Sequence, residues 1–402
     1  MDHKCKVVHE DIQKQSKQGH IVVGGNTEHA AGPESGRWKS ETDIQVTRTY
    51  MPPASEYQAY LTEIWERGWV TNHGPLVTGL EEKLREILDV PHLYFLSNGT
   101  VALQIAIKAL GLSGEIITSP FSYVATTSSI VWENCRPVFA DIEPDAFTLD
   151  AEKAEAAITP QTTAILATHV FGNPCDVEGL QDVADRHGIH LIYDAAHAYG
   201  VEYKGRGLFR YGDISTLSCH ATKLFHTIEG GAIATMDEDL AHKMAYMRNF
   251  GHNGQEAFWG LGINGKNSEF HAAMGHCMLP RMQEIISNRE KTDARYRSLL
   301  EGVADRLTYQ KIRPGTTYNY AYFPVVFDTE EELLNVKDNM NAANIFPRRY
   351  FYPCLSALDY VEGGKQAPLS GDLSKRVLCL PYHSELGQDL QENIVKLLVE
   401  AL

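Results

Sequence analysis

The sequence predicts an α/β protein: a large unit built on a mainly parallel sheet, followed by a smaller C-terminal αβ unit. Three observations support this. A chain of 402 residues, 43% of them hydrophobic, can bury a large core, and its length suggests two or three structural units. Short apolar runs alternate with helix-period segments from Leu93 to Thr235, the pattern of βαβ units and a parallel sheet. That character changes after a long helical stretch ending near Tyr296. The expected boundaries are a flexible N-terminal extension over 1–43, a large unit over 44–290 and a small unit over 291–402.

The first 43 residues hold Gly, Pro, Ser, Asn and Lys with no apolar period, so they read as a flexible extension or leader. Leu76, Leu80, Leu84 and Leu88 recur at helical spacing. Strands are expected at Leu93–Leu96, Ile116–Thr118, Val138–Ala140, Ala164–His169, His190–Asp194, Ile214–Ser218 and Ala232–Thr235. Helices are expected from Val101, near Ala125–Trp132 and near Val177–His187. A helical stretch from Ser268 to about Tyr296 should break or kink at Pro280, which lacks the amide hydrogen a helix interior needs. Beyond it, Ala321–Phe327 and Val377–Leu380 read as strands, and Glu330–Asn341 and Asp389–Leu402 as helices.

The net charge of -16 disfavours nonspecific contact with nucleic acid or an anionic membrane. No apolar run approaches roughly 18 residues, so no membrane span is expected. The N-terminus has no signal-peptide core. The seven cysteines form no CxxC pair, which argues against a disulfide framework or zinc ribbon and suits a reducing cytoplasm.

Ser97-Asn98-Gly99-Thr100 follows a predicted strand and opens a helix. Free backbone N–H groups and the positive end of the helix dipole suit an anion there, a phosphate above all. Ordinary helix capping explains the same residues; Asn98-Gly99-Thr100 also matches a glycosylation sequon, but no secretory signal supports that use. Asp194 ends another strand's apolar run. At the carboxyl end of a parallel strand it would face the ligand crevice and could hold a ring nitrogen protonated; a lone Asp is more often the cap of the next helix. Lys223 follows a further strand within Ser218-Cys219-His220-Ala221-Thr222-Lys223, placed to form a Schiff base with an aldehyde cofactor. Most lysines simply face solvent. Cys219, His220 and His226 match no standard zinc spacing, so no metal is expected. Gly260 to Gly265 formally fits GxGxxG but follows no strand, so the dinucleotide reading fails in context. Taken in order, the phosphate turn, the acid at a strand end and the Ser and Lys after another strand are the parts that hold pyridoxal 5'-phosphate.

With these residues in view, the chain from about Val46 onward resembles the DegT/DnrJ/EryC1/StrS sugar aminotransferases, of fold type I among pyridoxal-phosphate enzymes. The resemblance rests on Gly74 to Glu81, Ser97 to Thr100, Pro120 to Thr126, Asp194 to His197, Ser218 to Lys223, Glu229-Gly230-Gly231, Arg248 to Gly251, and Asn264 shortly before Glu269. It implies a large, mainly parallel seven-stranded sheet domain and a smaller C-terminal domain. It also implies that Gly99, Thr100 and Ser218 hold the phosphate, Tyr123 stacks on the pyridine ring and Asp194 pairs with its nitrogen. His197, where many members carry Gln, would lie near the ring hydroxyl, and Lys223 would bond the aldehyde. Asn264 would reach the phosphate of a neighbouring subunit's cofactor, which implies a homodimer with shared sites. One subgroup carries His in place of that Lys and removes a hydroxyl; Lys223 therefore points to transamination.

The finer match is to the branch that makes dTDP-linked 4-amino-4,6-dideoxyglucose. It rests on Tyr50 to Pro53, Trp65 to Trp69, His220 to Lys223, Thr227 to Gly231 and Pro347 to Pro353. The implied reaction moves the amino group of L-glutamate to a nucleotide-linked keto sugar. Arg349 would pair with the diphosphate, and Tyr350 or Tyr352 would line the sugar pocket; a surface loop with core aromatics explains those three residues as well. Amination at C3, a UDP or GDP carrier, and a non-catalytic binding protein on the same fold stand as competing readings.

Overall fold

A computed structural model describes residues 38–361 and 367–402. The flexibility expected of residues 1–37 lies outside the described residues. Seven strands form the central sheet: β1 (His92–Leu96), β2 (Glu115–Thr118), β3 (Arg136–Phe139), β4 (Thr162–Thr168), β5 (His190–Asp194), β6 (Ile214–Ser218) and β7 (Gly231–Thr235). Their order is β1-β7-β6-β5-β4-β2-β3. All run in one direction except β7, which is antiparallel to both neighbours, so the sheet is mainly parallel as expected.

Both faces are covered, which is why these strands read as near-continuous apolar runs. Successive side chains point to opposite faces. Leu191 and Tyr193 join one core with Leu76, Leu80 and Leu84 from the helix Pro75–Ile87. Ile192 joins the other with Ala102, Leu103 and Ala106 from the helix Gly99–Ala109. A separate core of Phe323, Val325, Phe327, Leu378 and Ile394 underlies the C-terminal unit. Its antiparallel strands are Leu307–Tyr309, Pro324–Phe327 and Val377–Cys379.

The long helical stretch is two helices, Glu269–Met278 and Met282–Leu299, joined by a 3-10 turn that contains Pro280. The second helix links the two cores: Ile285 is buried in the large one and Tyr296 in the small one. The chain also returns to the small unit at its beginning. Ile44–Gln45 pairs in parallel with Ile345–Phe346, and Ser40 donates its N–H to the Ala343 carbonyl at 3.1 Å. Ser40 and Ile44–Gln45 thus pair with the small unit, whereas the sequence reading set 1–43 as a flexible extension and began the large unit at 44.

The helices Ala54–Arg67, Glu238–Met247 and Pro368–Arg376 lie outside the sequence expectation. The first packs Tyr57, Tyr60, Leu61 and Ile64 on the large core at helical spacing, though only Ile64 is fully buried. No helix among the described residues is long and apolar enough to cross a membrane.

The paired Gly74 and Glu269 have a packing reason. The helix Pro75–Ile87 has no side-chain cap of its own. Instead, the buried Glu269 carboxylate accepts from the N–H groups of Leu76 at 3.0 Å and Val77 at 2.9 Å. A Cβ at position 74 would stand 2.5 Å from the Glu269 carboxyl carbon, so only glycine fits.

Candidate active site

The sheet register brings five strand ends to one edge. Asp194 lies opposite Thr168 and Thr216, and Gly231 lies opposite Leu96 and Ser218. A cavity of about 270 Å³ opens at this edge, walled on its far side by Tyr322, Arg348, Tyr350 and Phe351 from the C-terminal unit.

After β1 the chain turns into the helix Gly99–Ala109, with Asn98 as its cap: its side-chain oxygen accepts from Val101 N–H at 2.8 Å. Gly99 and Thr100 are the first helical residues, and their N–H groups have no intrahelical acceptor. The turn is packed tightly from below. A Cβ at Gly231 would stand 2.4 Å from the Asn98 carbonyl carbon, and one at Gly99 would stand 3.1 Å from the Ser218 Cβ.

Asp194 is 5% exposed. Its carboxylate accepts from the Thr126 hydroxyl at 2.7 Å and from Ala196 N–H at 3.1 Å. Ser122 and Thr168 hydroxyls extend this network behind Thr126. Burial raises the Asp194 pKa, while the Thr126 hydroxyl, the Ala196 amide and the Lys223 charge oppose the rise. No cationic side chain among the described residues pairs with this carboxylate within 4.0 Å. A buried acid of this kind suits a cationic ligand group.

His197 is buried, and burial pushes its pKa well below 6.5, so the ring is neutral. Its Nδ1 accepts from Phe171 N–H at 3.2 Å, which assigns the ring proton to Nε2. The ring lies parallel to Phe171 and Phe351 and 4.8 Å from Tyr322. Lys223 is half-buried and opens onto the cavity. Desolvation brings its amine down to about 8; the Asp194 carboxylate resists this shift and the Arg348 guanidinium adds to it.

Gly99, Thr100, Tyr123, Asp194, His197, Ser218, Lys223 and Tyr350 thus meet in one cavity. Asn264 does not line it; this residue is exposed and accepts from Lys266 Nζ at 2.5 Å. Arg349 and Tyr352 also lie outside. The Arg349 guanidinium donates to Glu330 at 2.6 Å and to the Lys375 carbonyl at 3.0 Å, and stacks on Tyr352. The reason is alternation along an extended segment. Arg348 exchanges both backbone hydrogen bonds with Cys379, which turns its side chain to the cavity and that of Arg349 away. Sequence reasoning missed Thr126, Thr168, Tyr322 and Arg348. For Thr126 a local signal existed, since Ser122 and Thr126 stand one helical turn apart.

The donor set fits pyridoxal phosphate: unpaired N–H groups and a hydroxyl for the phosphate, a buried acid without a cation for the pyridinium, and an amine held near neutrality for the aldehyde. Fold and cavity together define a fold type I pyridoxal-phosphate-dependent aminotransferase. Residues 53–399 match the DegT/DnrJ/EryC1/StrS aminotransferase family. The dTDP-4-amino-4,6-dideoxy-D-glucose transaminase of Shigella dysenteriae is 40% identical over 372 residues, covering 90% of this chain and 99% of that protein. The GDP-perosamine synthase of Vibrio cholerae is 31% identical over 346 residues, covering 83% and 93%. The crystal structure of DesI in the presence of its TDP-sugar product matches with a TM-score of 0.86 at 32% identity, covering 91% and 95%. The chain belongs to the DegT/DnrJ/EryC1/StrS aminotransferase family, and its class is that of the enzymes acting on nucleotide sugars.

Proposed function

We propose that this chain moves the amino group of L-glutamate to C4 of dTDP-4-dehydro-6-deoxy-D-glucose, giving dTDP-4-amino-4,6-dideoxy-D-glucose. Transamination rests on one observation above the others: an amine near pKa 8 shares a cavity with a buried carboxylate that lacks a counter-cation. The choice of sugar and carrier draws support from the 40% identity to the Shigella transaminase over nearly its full length, against 31% for the GDP-linked relative.

Bound pyridoxal phosphate supplies an electron sink for the carbon that loses its proton. The chain's own residues do the rest. The N–H groups of Gly99 and Thr100 and the Ser218 hydroxyl would hold the phosphate. Asp194 would keep the ring nitrogen protonated. His197 would offer Nε2–H to the ring hydroxyl, and Tyr123 would cover the ring. As a neutral amine, Lys223 Nζ would take the proton from the donor's α-carbon and carry it during the transfer. With a pKa of about 8, roughly a tenth of this amine is neutral at pH 7. The acceptor half runs the same proton moves in reverse, so kinetics should be ping-pong.

The active unit in this reading is a homodimer. Asn264 lies outside its own cavity, on a segment whose neighbours Phe258, Trp259, Leu261 and Ile263 are exposed. An apolar group of that size suits burial against a second copy; a monomer by light scattering would refute it. Six described cysteines, all buried and free, suit a reducing cytoplasm. The deciding experiment offers dTDP-, UDP- and GDP-linked keto sugars with L-glutamate and locates the new amine by NMR. Amination at C3, or a preference for another carrier, overturns the assignment.

A further inference from the structure

We propose that Tyr318 and Asn319 are positioning residues for His197, fixing the backbone from which that ring offers Nε2–H to the cofactor. This rests on the transaminase reading above and extends it to how one of the proposed cofactor contacts is held.

The chain between the strands Leu307–Tyr309 and Pro324–Phe327 leaves the C-terminal unit and crosses the large one, where Thr316–Thr317 pairs antiparallel with Glu202–Tyr203. Tyr318 and Asn319 come next. Asn319 is 1% exposed, and its side-chain amide donates to the His197 carbonyl at 2.8 Å and to the Tyr199 carbonyl at 2.9 Å. The turn that follows β5 is clasped in this way from the C-terminal part of the chain. The Tyr318 hydroxyl donates to the Phe171 carbonyl at 2.8 Å, on the turn that follows β4. Phe171 is also the residue whose N–H meets His197 Nδ1 at 3.2 Å. Two adjacent side chains therefore grip both the backbone of His197 and the turn that sets its tautomer.

Three features tie this clasp to the ring. The Asn319 side-chain oxygen is buried and has no hydrogen-bond partner among the described residues. An orphaned polar atom costs stability, so the value of this amide lies in its nitrogen. Phe171 and Gly172 both hold positive φ, 59° and 88°, which is a strained backbone for phenylalanine. That conformation brings the Phe171 N–H to the His197 ring. The turn also has no slack: a Cβ on Gly172 would stand 2.7 Å from the Asn319 side-chain oxygen and 2.9 Å from the His197 carbonyl oxygen. Strain and tightness meet behind a ring whose other edge faces the cavity. Hydrogen bonds weaken steeply as they bend, so the direction of Nε2–H is what the clasp preserves.

The test reads the colour of the bound cofactor in holoenzyme without substrates. A donor on the ring oxygen stabilises the oxyanion that otherwise helps to hold the proton on the Lys223–cofactor linkage. Weakening that donor therefore raises the pH at which the absorbance changes. His197→Phe, which keeps an aromatic ring in the stack, should raise this pH by about one unit, the worth of a hydrogen bond to a charged group. Asn319→Ser, whose hydroxyl can reach only one of the two carbonyls, should raise it by about half a unit. It should also raise the dissociation constant of pyridoxal phosphate from the apoprotein about threefold. Tyr318→Phe removes a single hydroxyl and should shift the pH the same way by less, which keeps the proposal testable should Asn319→Ser not fold. Combined with His197→Phe, neither change should add a further shift, because both act through the ring. A lowered thermal midpoint with the pH unmoved in Asn319→Ser and Tyr318→Phe would mean packing alone and overturns the proposal, as do shifts that add to that of His197→Phe. If His197→Phe by itself leaves the pH unmoved, the place given to His197 in the transaminase reading fails instead, and the two failures are thereby distinguished.

Discussion

The lowered pKa of Lys223 can be tested through the rate at which the apoprotein captures its cofactor. Only the neutral amine attacks an aldehyde, so the rate follows the neutral fraction. With the amine at about 8, that fraction rises from about 9% at pH 7 to about 91% at pH 9, a tenfold change that levels off. An ordinary lysine near 10.5 would rise about a hundredfold over the same interval and keep climbing. Desolvation is the first cause of the shift, and the Asp194 carboxylate works against it by favouring the ammonium. Replacing Asp194 with Asn should therefore lower the pKa further and move the plateau to lower pH. The assay is stopped-flow absorbance of protein-bound pyridoxal phosphate, with a lysine-containing peptide run in parallel to cancel titration of the cofactor itself. A hundredfold rise still climbing at pH 9 would refute the desolvated amine. A plateau moved to higher pH in Asp194→Asn would refute the role given to the carboxylate.

Three further outcomes are expected. Lys223→Ala should abolish turnover while circular dichroism and the thermal midpoint stay close to wild type; near wild-type transamination would remove Lys223 from the chemistry. Gly231→Ala should weaken pyridoxal phosphate binding, because its Cβ would stand 2.4 Å from the Asn98 backbone and displace the helix start; an unchanged dissociation constant would show that the turn adapts. Arg248 pairs with buried Glu81, whose carboxylate also accepts from Phe95 N–H at 2.8 Å. Arg248→Ala leaves that charge alone and should cost about 3–5 kcal/mol in urea unfolding, with a smaller loss when Glu81→Gln is added; equal losses in single and double variants would refute the coupling.

Much of the site could be read from the chain because its parts are local. A strand's apolar run ends at Asp194, another ends at Ser218, and a third leads through Asn98 into a helix whose cap and first residues are adjacent in sequence. Alternation of strand and helix also made the mainly parallel sheet legible. Ala54–Arg67 was passed over although Tyr57, Tyr60, Leu61 and Ile64 recur at helical spacing on its core face, because three of the four are only partly buried and two are tyrosines with a polar end.

By itself, then, the sequence determined the fold class, the cofactor and the order of the groups around it, since each depends on neighbours a few residues apart. The tertiary structure decided what depends on distant contacts. It placed Thr126 on Asp194 across 68 positions and Glu269 at the start of a helix 193 positions away. It paired Ser40 and Ile44–Gln45 with the C-terminal unit. It also chose between Arg348 and Arg349. The two are alike in composition and adjacent in sequence, and only the backbone pairing of one of them with Cys379 sets which guanidinium enters the cavity.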